Sequence, residues 1–365
     1  MDLFGNRHRG EMRSLRRSIL RFTLIAAVST LALIAGAPLD AAPPEGSYTV
    51  TKLVSDVPGA AAVTDPNLVN AWGLTRGPTS PWWVADNGTN KSTLYNAAGA
   101  IQALVVGVGG GPTGTVFAGI AGQFPTALGS ANFIFASEDG MIRAWRGGPT
   151  AAVVPANGGA DAIYKGLAIA QPTPGNPLLY AADFHNARVD VFNGAWQNVT
   201  PAGSFVDPML PDGYGPFGIQ VIGTRVFVSY AKQDADAEDE VAGQGLGFVD
   251  VYDLSGDLLS RVTQHGQLNA PWGLALAPPS FGRFAGDLLV GNFGDGQINA
   301  YEETSAGFEH RGTLRDASGG KLVIDGLWAL QFGNAGNNGN PDTLFFTAGP
   351  DDESHGLFGA ITPAS

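Results

Sequence analysis

The chain has 365 residues, of which 52 are Gly, 24 Pro and none Cys; 44% are apolar, 15% are charged, and the formal net charge is −13. That apolar content supports a large core and excludes disorder over most of the chain, while abundant Gly and Pro and few helix-forming windows favour a single all-β domain. The lack of Cys removes disulfides, thiolate metal sites and thiol nucleophiles, and the acidic balance opposes nucleic acid and anionic lipid.

Residues 1–41 read as an export signal, with Arg13, Arg16, Arg17 and Arg21 ahead of an apolar run from Phe22 to Gly36 and "LDA" at 39–41 for cleavage. The run is short for a bilayer span. "SLRRSILR" at 14–21 resembles a twin-arginine signal, the general secretory route being the alternative. The expectation is an exported protein, periplasmic or extracellular, with 42–365 as one monomeric domain that carries no membrane span. That domain holds 14 basic and 30 acidic residues, a formal charge of −16.

A strand is predicted at 48–54, "YTVTKLV". A repeated phrase follows, a small or aromatic residue, then Gly, then apolar residues. It occurs as "AWGL" with Gly73, "PTGTVF" with Gly114, "YKGLAI" with Gly166, "PFGIQV" with Gly218, "PWGLAL" with Gly273 and "IDGLWAL" with Gly326. The steps are 41, 52, 52, 55 and 53 residues. Each phrase leads through polar turns into two more alternating runs, such as "WWVADN" then "STLYN", the pattern of antiparallel hairpins. Five units carry a fourth run; the sixth lacks one, and 48–54 is spare. Four-stranded units at this period predict a six-bladed β-propeller closed by the N-terminal strand in the last blade. The blades fall near 66–108, 109–155, 160–206, 212–263, 268–314 and 322–362. The glycine marks where backbone crowds the central channel.

These units resemble NHL-type and gluconolactonase-type six-bladed propellers, in which "P-x-G-L-x" precedes the inner strand and "L-Y-V-A-D" the second, over about residues 66–361. The strings "NLVNAWGL", "QDADAEDEVAGQGLGFVDVYD" and "GPDDESHGLFGAI" resemble a family of exported bacterial propellers of unknown function. The gluconolactonase resemblance implies a divalent cation held at the channel mouth by Glu, Asn and Asp, several just before the glycines. Here those positions are Trp72, Thr113, Lys165, Phe217, Trp272 and Asp325. Asp325 alone suits a hard cation, and Lys165 sets a positive charge beside it.

The same six residues suggest a collar at the channel mouth, aromatic walls with a polar handle able to take a small molecule, glycan or protein ligand. The alternative is a plug that wedges the blades. Two acidic hairpin turns offer further candidates. In 232–247, Asp234, Asp236 and Glu238 sit in a run of five carboxylates without EF-hand spacing; in 349–356, Asp351, Asp352, Glu353 and His355 cluster. Solvated polar loops are the expected reading, with Ca²⁺ binding or, at His355, a general base as the alternatives, so no cofactor is expected. Asp183 beside His185, Asp86 with Asn87, and Asn292 with Asp295 occupy matching turns, where their side chains are expected to bond the turn backbone. No G-x-S-x-G or phosphate loop is present. The expected function is a binding or scaffolding module with its site at the channel mouth. A lactonase-like hydrolase or isomerase with an altered metal site is the alternative, and a structural envelope protein the third reading.

Overall fold

The computed structural model describes residues 46–159 and 161–364. The proposed export signal lies outside them. No helix among the described residues is long and apolar enough to cross a membrane.

Six small antiparallel sheets stand around an axis, each starting from an inner strand: Ala71–Arg76, Pro112–Phe117, Tyr164–Thr173, Tyr214–Ile222, Pro271–Leu276 and Leu327–Phe332. Each inner strand contacts the next, and the sixth contacts the first, so the ring is closed. This is a six-bladed β-propeller. The alternating apolar pattern explains the packing. Successive side chains point to opposite faces of a blade, so each blade offers one apolar row to either neighbour. Six buried clusters accordingly fill the six blade-to-blade interfaces. A seventh, around Trp72, Phe217 and Trp328, lies on the axis.

The last blade is completed from the front of the chain. Tyr48–Ser55 pairs antiparallel with Leu357–Pro363, from Tyr48 opposite Pro363 to Ser55 opposite Leu357, with a bulge between Lys52 and Val54. Tyr48 and Val54 are buried in the joint, so closure leaves no long apolar edge. Blade three differs from the expected four strands. After Arg188–Asn193 the chain returns only as a bridge between Phe192 and Asn198, and Thr200 Oγ1 accepts from Val191 N at 2.8 Å. Pro201 follows at once, so no ladder can extend.

The glycine rule holds in five blades and fails in the sixth. A Cβ on Gly73, Gly166, Gly218 or Gly273 would collide with the carbonyl of Thr113, Phe217, Trp272 or Trp328 in the next blade, and one on Gly114 would strike the Gly166–Leu167 backbone. The sequence of contacts identifies Ala329, not Gly326, as the inner position of blade six. Gly326, at φ +61°, packs instead against the Gly349 carbonyl in a turn outside the inner strand.

Candidate functional site

The inner strands run so that the residues before these positions converge at one end of the channel. Trp72, Thr113, Lys165, Phe217 and Trp272 all stand there, as the repeat requires. Asp325 does not. It is exposed, and its Oδ2 accepts from Asp351 N at 2.9 Å. Trp328 takes its ring position, so the ring carries no carboxylate. The metal ligands implied by the gluconolactonase resemblance therefore have no counterpart at these positions. Among the described residues no group of three or more His, Asp or Glu is arranged to hold a metal ion.

Five aromatics close the channel below this end. Trp72 stacks on Trp328 with ring centroids 3.7 Å apart, and Phe293 stacks on its other side at 4.1 Å. Phe217 and Trp272 meet Trp328 edge-on at 5.7 and 6.0 Å. Trp72, Phe217 and Trp328 are buried, and Trp272 is half-buried with its Nε1 donating to Lys165 O at 3.0 Å. Thr113 is buried too, its hydroxyl donating to Tyr164 O at 2.7 Å. These rings form a floor. The face beyond them carries Lys165 and Asn70.

That face is polar. The ammonium of Lys165, only 1% exposed, lies 5.3 Å above the Trp72 ring. It donates to Glu138 Oε1 at 2.6 Å and to Asp239 Oδ1 at 3.0 Å. Asn70, also buried, accepts from Trp328 Nε1 at 2.9 Å and donates to Glu353 Oε2 at 2.5 Å and to Asn87 Oδ1 at 3.3 Å. Asn87 in turn donates to Glu138 Oε2 at 2.8 Å. One hydrogen-bonded chain thus runs from the aromatic floor through Asn70 to both Glu353 and Lys165.

The electrostatics follow from one cation among four carboxylates. Burial pulls the Lys165 ammonium down, but Glu138, Glu240 and Asp239 together outweigh it and leave its pKa above the ordinary lysine value. Burial pushes Glu240 up to about 8, against the attraction of Lys165. Burial also raises Glu353, although the Asn70 hydrogen bond opposes it.

The carboxylates come from the turn between the second and third strands of blades two, four and six. Glycines allow the first approach. Gly109, Gly110 and Gly111 all have positive φ, and their carbonyls at 110 and 111 accept from Asp139 N and Glu138 N. The long turn of blade four folds back on itself, with Asp234 N donating to Asp239 O and Val241 N to Lys232 O, which brings Asp239 and Glu240 inward. In blade six, Asp351, Asp352 and Glu353 are three successive left-handed residues, at φ 57°, 49° and 62°. Such conformations are costly without glycine and are held where surrounding structure demands them.

The remaining sequence candidates lie apart from this network. Asp234 Oδ1 accepts from Glu238 N at 2.9 Å and shapes its own turn. Asp236 is exposed, and Glu238 lines a shallow depression of about 250 Å³ with Glu138, Asp161 and His185. Asp351 and Asp352 are exposed, while His355 faces Asp56. Sequence reasoning missed Asn70, Glu138 and Trp328. For Trp328 a signal was present: "AWGL", "PWGL" and "LWAL" share Trp, a small residue and Leu.

No known family's sequence profile matches the chain. Two curated proteins of Acanthamoeba polyphaga mimivirus do. "Uncharacterized protein R648" is 31% identical over 335 residues, 86% of this chain and 80% of that protein. "Uncharacterized protein L690" is 30% identical over 338 residues, 86% of each. The chain belongs to their family. These members of the family are viral, so they lend no support to the bacterial source that the resemblance suggested. Among solved structures, the apo aldose sugar dehydrogenase of Escherichia coli aligns over 87% of this chain and 100% of its own, with a TM-score of 0.53 and 12% identity. A glucose dehydrogenase aligns with a TM-score of 0.51, also at 12% identity. At that identity the likeness is one of fold.

Proposed function

We propose that the protein is an exported binding module whose ligand carries a compact positive charge, such as an organic ammonium, and docks on the polar face above the aromatic floor. The observation that carries this reading is the imbalance of charge. Glu138 and Asp239 bond the single buried Lys165, Glu240 and Glu353 stand near it as further carboxylates, and burial pushes Glu240 up to about 8. A ligand cation would supply the balancing charge.

Calorimetric titration of the protein with putrescine tests the reading, run at one pH in two buffers of different ionisation enthalpy. Binding is expected with release of protons, and Asp239→Asn combined with Glu353→Gln should abolish it. Ca²⁺ at the same concentration should not compete, because among the described residues no three carboxylates are arranged as ligands of one metal ion. Failure of putrescine to bind, or binding untouched by the double substitution, refutes the assignment of this face.

A further inference from the structure

The blade-six turn that lends Glu353 to the channel mouth sends His355 the other way. There a cavity of about 480 Å³ opens between blade six and the connection into it, with Ile324, Phe346 and Leu357 as floor and Val50, Val57 and Val323 as walls. Phe346, Leu357 and Ile324 belong to the buried cluster between blades five and six, so the cavity reaches the core. Val323 is 60% exposed beside it, a large apolar side chain left in water.

His355 stands at the rim of this cavity in a fixed orientation. Its Nδ1 lies 2.8 Å from Asp56 Oδ2, and Asp56 Oδ1 accepts from Gly356 N at 2.8 Å. A carboxylate so held accepts the Nδ1 proton, which leaves Nε2 as the working nitrogen. Nε2 lies 3.9 Å from Asp351 Oδ2, beyond hydrogen-bond distance, and bonds no side chain or backbone group among the described residues. Hydrogen bonding to Asp56 also holds the imidazolium above the ordinary histidine range. The rim adds a second cation, Lys52; of the carboxylates around it, Asp56 is bound to His355 Nδ1, Asp325 accepts from Asp351 N, and Asp351 is exposed.

From this arrangement we infer that the cavity is a second ligand site, independent of the channel mouth, for a small amphipathic anion. Its apolar body lies on Ile324, Phe346 and Leu357, and its carboxylate takes hydrogen bonds from Nε2–H of the protonated His355 and from Lys52. The volume suits a chain of about eight to twelve carbons.

The test is titration of the full chain with sodium octanoate, with octanol as the uncharged control. Saturable octanoate binding is expected, tighter than that of octanol. Val323→Asp, at an exposed position and so without effect on folding, should weaken octanoate at least about tenfold by placing a carboxylate on the wall. His355→Ala should weaken it similarly while leaving octanol unchanged. Absence of saturable octanoate binding overturns the inference, as does octanol binding equally well or affinity unaltered by both substitutions.

Discussion

Two sets of turns face the same end of the channel, and the repeat places them at equivalent positions, yet they have diverged. In blades three and five the turn side chains serve their own blade. Asp183 accepts from Ile163 N and Asn186 N, both at 3.3 Å, and pairs with Arg188 at 3.2 Å; Asn292 donates to Gln267 O at 2.7 Å and to Asp295 Oδ1 at 3.1 Å. In blades two, four and six the equivalent turns send Glu138, Asp239, Glu240 and Glu353 across the face toward Lys165 and Asn70. Blade one is intermediate: Asp86 bonds Thr93 within its blade, whereas Asn87 reaches Glu138. A polar turn residue that bonds inward supports a hairpin; one that reaches outward costs stability and marks a surface built for another task.

Both sets rest on the floor centred on Trp328, and its removal should have the largest effect. Trp328→Ala deletes the ring shared by Trp72, Phe293, Phe217 and Trp272 and leaves Asn70 Oδ1 unpaired, a loss of about 3–5 kcal/mol. Trp272→Ala, at a half-buried ring, should cost about 1–2 kcal/mol. Thermal melting of both variants checks this. Equal losses would mean that the ring residues form a collar of equivalent members with no central one.

Lys165→Met should come next, at about 3 kcal/mol at neutral pH, because it leaves carboxylates from three blades without their shared cation. The loss should shrink in acid, where those carboxylates take up protons. A variant as stable as the parent at all pH values would show that the alternate turns do not depend on one another through this lysine.

The third comparison sets one turn directly against another. Asp183→Ala removes a buried carboxylate that holds two backbone N–H groups and should cost about 2–3 kcal/mol. Asp239→Asn, at a side chain 74% exposed, should change stability by less than about 0.5 kcal/mol. Urea unfolding of the two variants measures the difference. A reversed order would erase the distinction between supporting and outward-reaching turns.

The fold was legible because its causes are periodic. Alternating runs recur in every blade and crowding glycines in five, and a missing fourth strand beside a spare one implied the closure by 48–54. The exceptions arise where one side chain relieves a constraint. Ala329 fits where the other blades need glycine, which hid the register of blade six and directed attention to Asp325. Lys165, Thr113 and three aromatics of the mouth were found by position alone. Glu138, Asn70 and Asn87 were not distinguished, because an Asn or Glu in a polar turn looks the same in sequence whether it caps its own hairpin or bonds across to another blade. Blade three lost its fourth strand to Pro201, a signal present in the sequence but outweighed by the repeat.

A modest, pH-dependent effect tests the charge imbalance most directly. Glu240 holds its proton to about 8 in the folded protein, against an ordinary value of 4.5. Between those values the folded state binds a proton that the unfolded state releases, so the contribution of this group to stability is full below 4.5 and is lost as pH rises through about 8. Asp250, pushed up to about 7 by burial, titrates in part of the same window. The informative quantity is therefore the difference between the parent and Glu240→Gln, which cannot ionise. After allowance for screening at a half-buried side chain, the variant should gain on the order of 1 kcal/mol relative to the parent between about pH 6 and about pH 9. Urea unfolding at the two pH values measures that gain. Saturating putrescine should then narrow the difference by favouring the ionised Glu240 of the parent. A difference that does not change with pH would place the Glu240 carboxylate in water, and the excess of negative charge over Lys165 would no longer distinguish this face from the rest of an acidic surface.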